Sequence, residues 1–428
     1  MPRKGYDWEI GNTPPIIEAH SLAKHEVLRE YLSNYIQILC QRPVIENLNL
    51  TLVDGFAGGG TYTHYKTGKI ISGSPLILLN AIKESEELVN FQRSDQGIRN
   101  RLSINAQYYF IEKDAENFKY LETILTASEY QSIIGSNIKL IHGTFDDNLE
   151  KIIRQTKSMH HSQRCIFILD QYGYSDVSFT KIRSIFDNYK NAEVILTFAT
   201  DSLINFISEN NYDLYKSKIE NLGLSDELSI DQLIDEKEAN PAWRYVIESQ
   251  LVEAIKKCSG ANHFTPFYIV SRKSNRAYWL VHLSMHPRAQ DEMTRLHWEL
   301  NNHFQHYGKP GLNMLGYDPA NDVSIKDQFS LDFMFDNNAR KLTHDALLKD
   351  IPEFLHSYKD GLPFSKFFAI TCNETPADDK LYKEVLNQLL QAKEVDITGE
   401  SGELRRSGYA LKNKDIIRLS QQKKLIFL

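Results

Sequence analysis

The chain has 428 residues, which gives room for two or three domains and a core that needs neither disulfides nor metal. Lys and Arg number 49 against 56 Asp and Glu, a net charge of −7, which excludes a chain that is polybasic throughout but not one local basic surface. The four cysteines, Cys40, Cys165, Cys258 and Cys372, are scattered without a C-x-x-C pair. This excludes a zinc ribbon or an iron–sulfur cluster and points to a reduced, cytoplasmic setting. The first fifteen residues hold no apolar signal-peptide core, and no run reaches 18 apolar residues, so neither secretion nor a membrane span is expected.

Apolar residues at helical spacing predict a helix over 15–40. A strand over 48–53 delivers Asp54, and a glycine-rich loop follows to residue 73. Ser74 and Pro75 read as a cap and first-turn proline opening a helix, with a polar excursion over 84–103 after it. A second strand, 106–111, ends at Glu112, and a helix follows from Ala115 to Glu129. A third strand spans 137–142, with a helix starting at Phe145. The fourth, 164–169, ends at Asp170, and a fifth covers 193–199. Residues 205–258 read as a helical insertion with an acidic stretch. Two apolar runs flank Arg-Lys-Ser-Asn-Arg at 272–276, a hairpin signal. The alternation predicts an α/β, Rossmann-like fold: a doubly wound, mostly parallel sheet closed by an antiparallel end hairpin. From 335 onward, helices precede a β-pair at 393–411, the order of a winged helix-turn-helix. The expected domains are therefore 1–334 and 335–428.

The sharpest motif is Leu-Thr-Leu-Val-Asp-Gly-Phe-Ala-Gly-Gly-Gly-Thr-Tyr at 50–62. A dinucleotide fingerprint, G-x-G-x-x-G, fails: from Gly58 its third glycine is Thr63, and from Gly55 it breaks at Ala57. The spacing instead resembles the first motif of class I S-adenosylmethionine (SAM) methyltransferases, D-x-F-A-G-x-G, matched by Asp54, Phe56, Ala57, Gly58 and Gly60. By that resemblance Gly58 and Gly60 border the methionine and ribose of SAM. A carboxylate at the end of the second strand, Glu112, can accept both ribose hydroxyls. Asp146 lies where such enzymes contact adenine, although an acid at a helix N-terminus is also favoured by the macrodipole.

The fourth strand runs into Asp170-Gln171-Tyr172-Gly173. Methyltransferases acting on exocyclic amines carry D/N-P-P-Y or D-P-F/Y-G there. Asp170 and a backbone carbonyl would accept hydrogen bonds from the amine, and Tyr172 would stack on the base. Gln171 in place of proline removes a stiff turn, which puts methyl transfer in question more than cofactor binding. Lys24-His25, on the helix before the first strand, reads as a wall of the cofactor pocket or as an exposed polar face. His282/His286 and His303/His306 have helical spacing but no third ligand, so structural roles are expected and no metal is called for. From Leu404 to the end, seven basic residues, Arg405 and Arg406 among them, face Asp415 alone. That is +6 locally and −13 for the remainder, which suits a wing that grips phosphates or one that docks protein.

Three strings together resemble the three-Cys-motif partner (TcmP) family over most of the chain: K-H-x-x-L-x-x-Y-L (Lys24, His25, Leu28, Tyr31, Leu32), the D-G-F-A-G-G-G-T-Y loop followed by Gly73-Ser74-Pro75, and L-D-Q-Y-G, where the family more often has D-P-Y-G. The loop and the K-H helix are also similar to bacterial ribosomal-RNA adenine-N6 methyltransferases. The resemblance implies a SAM-methyltransferase fold and a companion: a three-Cys-motif protein that resembles a radical-SAM enzyme. Two functions are compatible with it. One is methyl transfer from SAM to a nucleobase amine in DNA or RNA. The other is a non-catalytic binding module for the companion, for instance in phage defence.

Overall fold

The computed structural model describes residues 6–158, 164–172, 175–205, 207–240, 243–271, 276–300, 311–312 and 336–420. The chain divides into two units, Met1–Leu296 and His297–Leu428. The boundary expected at 334/335 falls outside the described residues.

The first unit is built on a seven-stranded sheet. Its members are β2 (Asn47–Asp54), β5 (Ser103–Glu112), β6 (Ile138–His142), β7 (Arg164–Leu169), β8 (Asn191–Phe198), β9 (His263–Ser271) and β10 (Arg276–Ser284). The order is β6-β5-β2-β7-β8-β10-β9; the first five strands are parallel, and β10 pairs antiparallel with both β8 and β9. This is the expected doubly wound sheet with an antiparallel end: a class I methyltransferase-like fold. Cys165 to Leu169 of β7 are all buried, as are Val194 to Phe198 of β8, because helices cover both faces.

Strand order reverses at β2, since β5 and β6 extend to one side and β7 and β8 to the other. Ligands bind such sheets at this switch, beyond the carboxyl ends of the strands. Asp54 pairs in register with Phe110 and Ile168 at that end.

Two departures from the sequence reading concern the region before β5. The stretch after the glycines is not all loop: β3 (Thr61–His64) and β4 (Ile70–Ser72) form a hairpin, and β1 (Ile16–Ile17) adds to it in parallel. Nor do residues 84–95 leave the helix, since α2 runs from Ser74 to Asp95. Its polar residues have structural work. Arg93 is 5% exposed and donates to the carbonyls of Cys40 (3.0 Å), Ile45 (2.8 Å) and Asn100 (3.3 Å), closing the end of α1 (Ala19–Cys40). Glu86 accepts from the Ile104 amide, and Asn90 exchanges bonds with Leu102. Polarity here satisfies backbone groups rather than marking a surface loop.

Between β5 and β8 lie α3 (Ala115–Thr126), α4 (Phe145–Ser158) and α5 (Phe179–Asn188). After β8 comes α6 (Thr200–Ile204); the helical insertion expected over 205–258 contains α7 (Tyr212–Leu222), α8 (Ile230–Ala239) and α9 (Trp243–Ser259), and α10 (Pro287–Glu299) follows the end hairpin.

In the second unit, α11 (Asn337–Leu355), β11 (Leu362–Pro363), α12 (Phe364–Thr371), α13 (Asp379–Gln391), β12 (Val395–Thr398) and β13 (Ile416–Leu419) form a winged helix. Leu347, Ile351, Phe364, Phe367, Tyr382, Leu386, Ile397 and Ile417 make its core. The wing closes differently from the expected pair at 393–411: β12 pairs with β13, Ile397 opposite Ile417, across a long loop. Only Thr398 and Leu404 bridge within the expected span.

Candidate active site

The acids at the ends of β2 and β5 are tied into the glycine loop. Asp54 is fully buried and accepts from the Phe56 amide at 3.1 Å. Burial pushes its carboxyl up to about 7, although the Ser74 hydroxyl and the Phe56 amide pull the other way. The Gly55 amide donates to the Ile168 carbonyl and the Ala57 amide to Ile111, each at 2.9 Å, so the loop is knitted to β7 on one side and β5 on the other. Gly58 (φ +58°) and Gly60 (φ +82°) occupy left-handed backbone that favours glycine. The Gly58 amide donates to Glu112 Oε2 at 2.9 Å, and Glu112 Oε1 accepts from the Asp114 amide at 2.8 Å. Each oxygen keeps a second lone pair. Burial raises the Glu112 carboxyl against these two bonds.

The acid after β7 has a different partner. Lys24, from α1, clasps both oxygens of Asp170 at 2.5 and 2.7 Å. Only 11% of the Lys24 side chain is exposed, against 32% for Asp170. Burial tends to raise the Asp170 carboxyl, but Lys24, with Thr197 and His25, brings it below its ordinary value. His25, next on the helix, is buried, and its Nδ1 has no hydrogen-bond partner among the described residues. Burial holds it down to about 4, and Lys24 adds to that, so its ring is neutral at pH 7.

An N-terminal strap covers the loop. Trp8 is 4% exposed, donates from Nε1 to the Thr61 carbonyl at 2.6 Å and lies flat against Gly58 and Gly59; a Cβ on Gly59 would meet the indole at 2.3 Å. Tyr6, Trp8, His25 and Tyr62 gather around it, with ring centroids 5.0 to 5.9 Å apart in each touching pair. Sequence reasoning did not see Trp8 or Tyr62 as site residues. The one signal was that Trp8 is the only tryptophan before residue 243.

Gln171 is 2% exposed and turns inward. Its Oε1 accepts from the amides of Asp176 (3.0 Å) and Val177 (3.2 Å), so the side chain pins the loop after Asp170 that a proline would have stiffened. Tyr172 is 59% exposed, and Gly173 lies outside the described residues. Asp146, in the first turn of α4, has a buried Oδ1 without a partner; burial raises its carboxyl, and Lys181 opposes this.

One cavity of about 790 Å³ collects most of the expected residues: Lys24, Phe56, Gly58, Glu112, Asp146, Asp170, Gln171 and Tyr172 all line it, with Tyr6, Trp8, His25 and Tyr62. Asp54, Ala57 and Gly60 are not in its lining and support the loop from behind. Of the histidines, His282 is taken by Glu193 at 3.1 Å beside Tyr31, and His286 Nδ1 accepts from the Arg288 amide at 3.1 Å. His303 and His306 lie outside the described residues.

Arg405 and Arg406 belong to the second unit. Arg405 grips the buried Asp415 through two bonds of 2.9 Å and also reaches Glu403 at 3.3 Å. Lys414 pairs with Glu400 at 2.7 Å. Arg406 is exposed. Arg405 and Lys414, two of the seven basic residues counted in the wing, are thus balanced locally.

Residues 316–402 match the model of the GMT-like wHTH domain family, in agreement with the winged helix. No curated protein matches the chain. Solved structures similar to it include the protein LPL1258 from Legionella pneumophila, at 10% identity, covering 62% of this chain and 85% of that one with a TM-score of 0.34. Another is the precorrin-6y C5,15-methyltransferase from Geobacter metallireducens, at 10% identity, 60% and 86% coverage and a TM-score of 0.24. A third is the human methyltransferase 10 domain containing protein, at 8% identity, 60% and 83% coverage and a TM-score of 0.23. At such identities and scores these likenesses add nothing to the strand order already described. Among the described residues no helix is long and apolar enough to cross a membrane.

Proposed function

We propose that this protein is a SAM-dependent methyltransferase acting on an exocyclic nucleobase amine. The observation that carries the reading is the clasped Lys24–Asp170 pair in the same cavity as the Glu112–Gly58 loop. The residues fit SAM. The cavity is of ligand size. Glu112 offers free lone pairs for ribose hydroxyls, Asp146 Oδ1 is a buried acceptor without a partner, suited to an adenine amino group, and Gly58 brings backbone close to the cofactor. Bound there, SAM supplies an electrophilic methyl group.

The chain's own residues orient the acceptor. Lys24 keeps Asp170 ionised, and each carboxylate oxygen retains a lone pair for an amine N–H, which aims the nitrogen lone pair at the methyl. The proton is lost after transfer, so no strong base is required. Neutral His25 and the rings of Trp8 and Tyr62 add uncharged surface to the cavity lining beside the Lys24–Asp170 pair. Tyr172 is exposed at the rim, ready to stack on a base. Gln171, by pinning residues 176–177, supplies the rigidity the missing proline would have given.

One observation favours the second reading, a non-catalytic module for a three-Cys-motif companion that would act in phage defence. Two of the wing cations, Arg405 and Lys414, are paired with acids of the same unit, which weakens their part in a phosphate-gripping role. It predicts a stable complex of the two proteins on co-expression. The first reading is tested by calorimetric titration with SAM. Saturable binding that Glu112→Ala weakens at least tenfold is expected; no heat of binding to the folded wild-type protein refutes it.

A further inference from the structure

We propose that the β3–β4 hairpin is a landing platform for single-stranded nucleic acid, feeding an acceptor base toward the cavity. This deepens the methyltransferase reading and rests on it for the acceptor class. The hairpin tip reads His64-Tyr65-Lys66-Thr67-Gly68-Lys69. The His64 ring is fixed in place, because its Nδ1 accepts from the amides of Lys66 (3.1 Å) and Thr67 (3.3 Å). Tyr65 stacks on it with ring centroids 5.1 Å apart and planes 9° from parallel. Tyr65 is 43% exposed, so the ordered pair presents aromatic surface to solvent, overhung by the Lys66 side chain. The ammonium of Lys66 stands 5.5 Å from the Tyr65 centroid. Lys66 and Lys69 are exposed, and among the described residues neither pairs with a carboxylate. Gly68, at φ +66°, closes the turn by donating to the His64 carbonyl.

An ordered aromatic stack followed in the same turn by two lysines without carboxylate partners has the composition of a base-stacking, phosphate-binding surface. Its position gives it a use. Side chains two apart on a strand share a face, and Tyr62 lines the cavity. His64 therefore lies on the same side of β3, roughly 7 Å further along. A strand stacked on the His64–Tyr65 pair has a neighbouring base at the mouth of the site that holds Asp170.

The test is fluorescence anisotropy of labelled 12-nucleotide RNA and DNA of mixed sequence with the full chain, across a salt series and without SAM. We expect Tyr65→Ala to weaken binding about tenfold or more. Lys66→Ala with Lys69→Ala should flatten the salt dependence by about 1.4 in log–log slope, two phosphates' worth. Both variants should bind SAM like the wild type. Preference between the RNA and DNA arms identifies the strand. The hairpin assignment is overturned if both variants bind oligonucleotides as the wild type does, or if the wild type binds none. It is also overturned if an acidic peptide competes as well as the oligonucleotide. Because binding is read without SAM, failure here is distinct from failure to bind SAM, which strikes the methyltransferase reading itself.

Discussion

Lys24→Met removes the cation that clasps Asp170 and keeps a side chain of similar length. Opposite charges about 4 Å apart at an effective dielectric of about 20 attract by about 4 kcal/mol. Losing one partner of a fully buried pair costs about 3–5 kcal/mol. Here a third of the Asp170 side chain reaches solvent, so a cost of about 2 kcal/mol is expected. The sign with pH follows from the direction of the shift. Lys24 holds the Asp170 carboxyl below its ordinary value, so the pair's contribution is present at neutral pH and disappears as pH falls through the folded-state value. The stability gap between wild type and variant, measured by urea denaturation, should therefore close in acid. In a labelled-methyl assay the variant should lose about 10²-fold in kcat, with its acidic limb moved to higher pH, while SAM affinity changes less than about twofold. Lys24→Arg should recover part of the rate. An unchanged rate and pH profile would show that the pair is structural only. A collapse of SAM affinity would make Lys24 a cofactor ligand instead.

Asp54→Asn should stabilise the protein above pH 7 and leave it unchanged near pH 4. The folded carboxyl, raised to about 7, holds a proton that the unfolded chain releases at its ordinary value of 3.8. Stability from this group thus falls as pH rises through that window, by at most about 4 kcal/mol; denaturation curves at the two pH values measure it. Arg405→Met should lower the melting temperature of the winged-helix unit at pH 7. Because Arg405 depresses the Asp415 carboxyl, the wild type should converge on the variant as pH falls. Arg93→Met should cost about 2–4 kcal/mol by stranding the carbonyls that close α1, an effect a surface arginine would not produce.

Strands whose residues are buried on both faces were legible to within a residue or two. Arg164–Leu169 is one; the β9–β10 pair was legible for another reason, two apolar runs separated by a short polar sequence. The acids Asp54, Glu112 and Asp170 were legible for a related reason: a carboxylate that ends an apolar run can only sit at the sheet's carboxyl edge. Other features depended on tertiary partners that the sequence does not display. Arg93 reads as solvated until the carbonyls of α1 are placed beside it. Gln171 reads as a lost proline until its amide is found holding Asp176 and Val177. The charge count over the last 25 residues registered Arg405, Lys414 and Asp415, but not that Arg405 grips Asp415 directly, nor that Glu400, before the counted stretch, faces Lys414. The β3–β4 hairpin was hidden because its strands, Thr61–His64 and Ile70–Ser72, are too short to show a periodicity.

The central claim is that Asp170, held ionised by Lys24, orients an amine for methylation. The most direct test incubates the protein with methyl-labelled SAM and single-stranded RNA or DNA, then repeats the measurement with Asp170→Asn. The account predicts label on an exocyclic base nitrogen with the wild type, and at least about a hundredfold loss with Asp170→Asn while SAM binding is retained. It is contradicted if wild-type protein that binds SAM labels neither nucleic acid, or if Asp170→Asn transfers methyl groups as fast as the wild type.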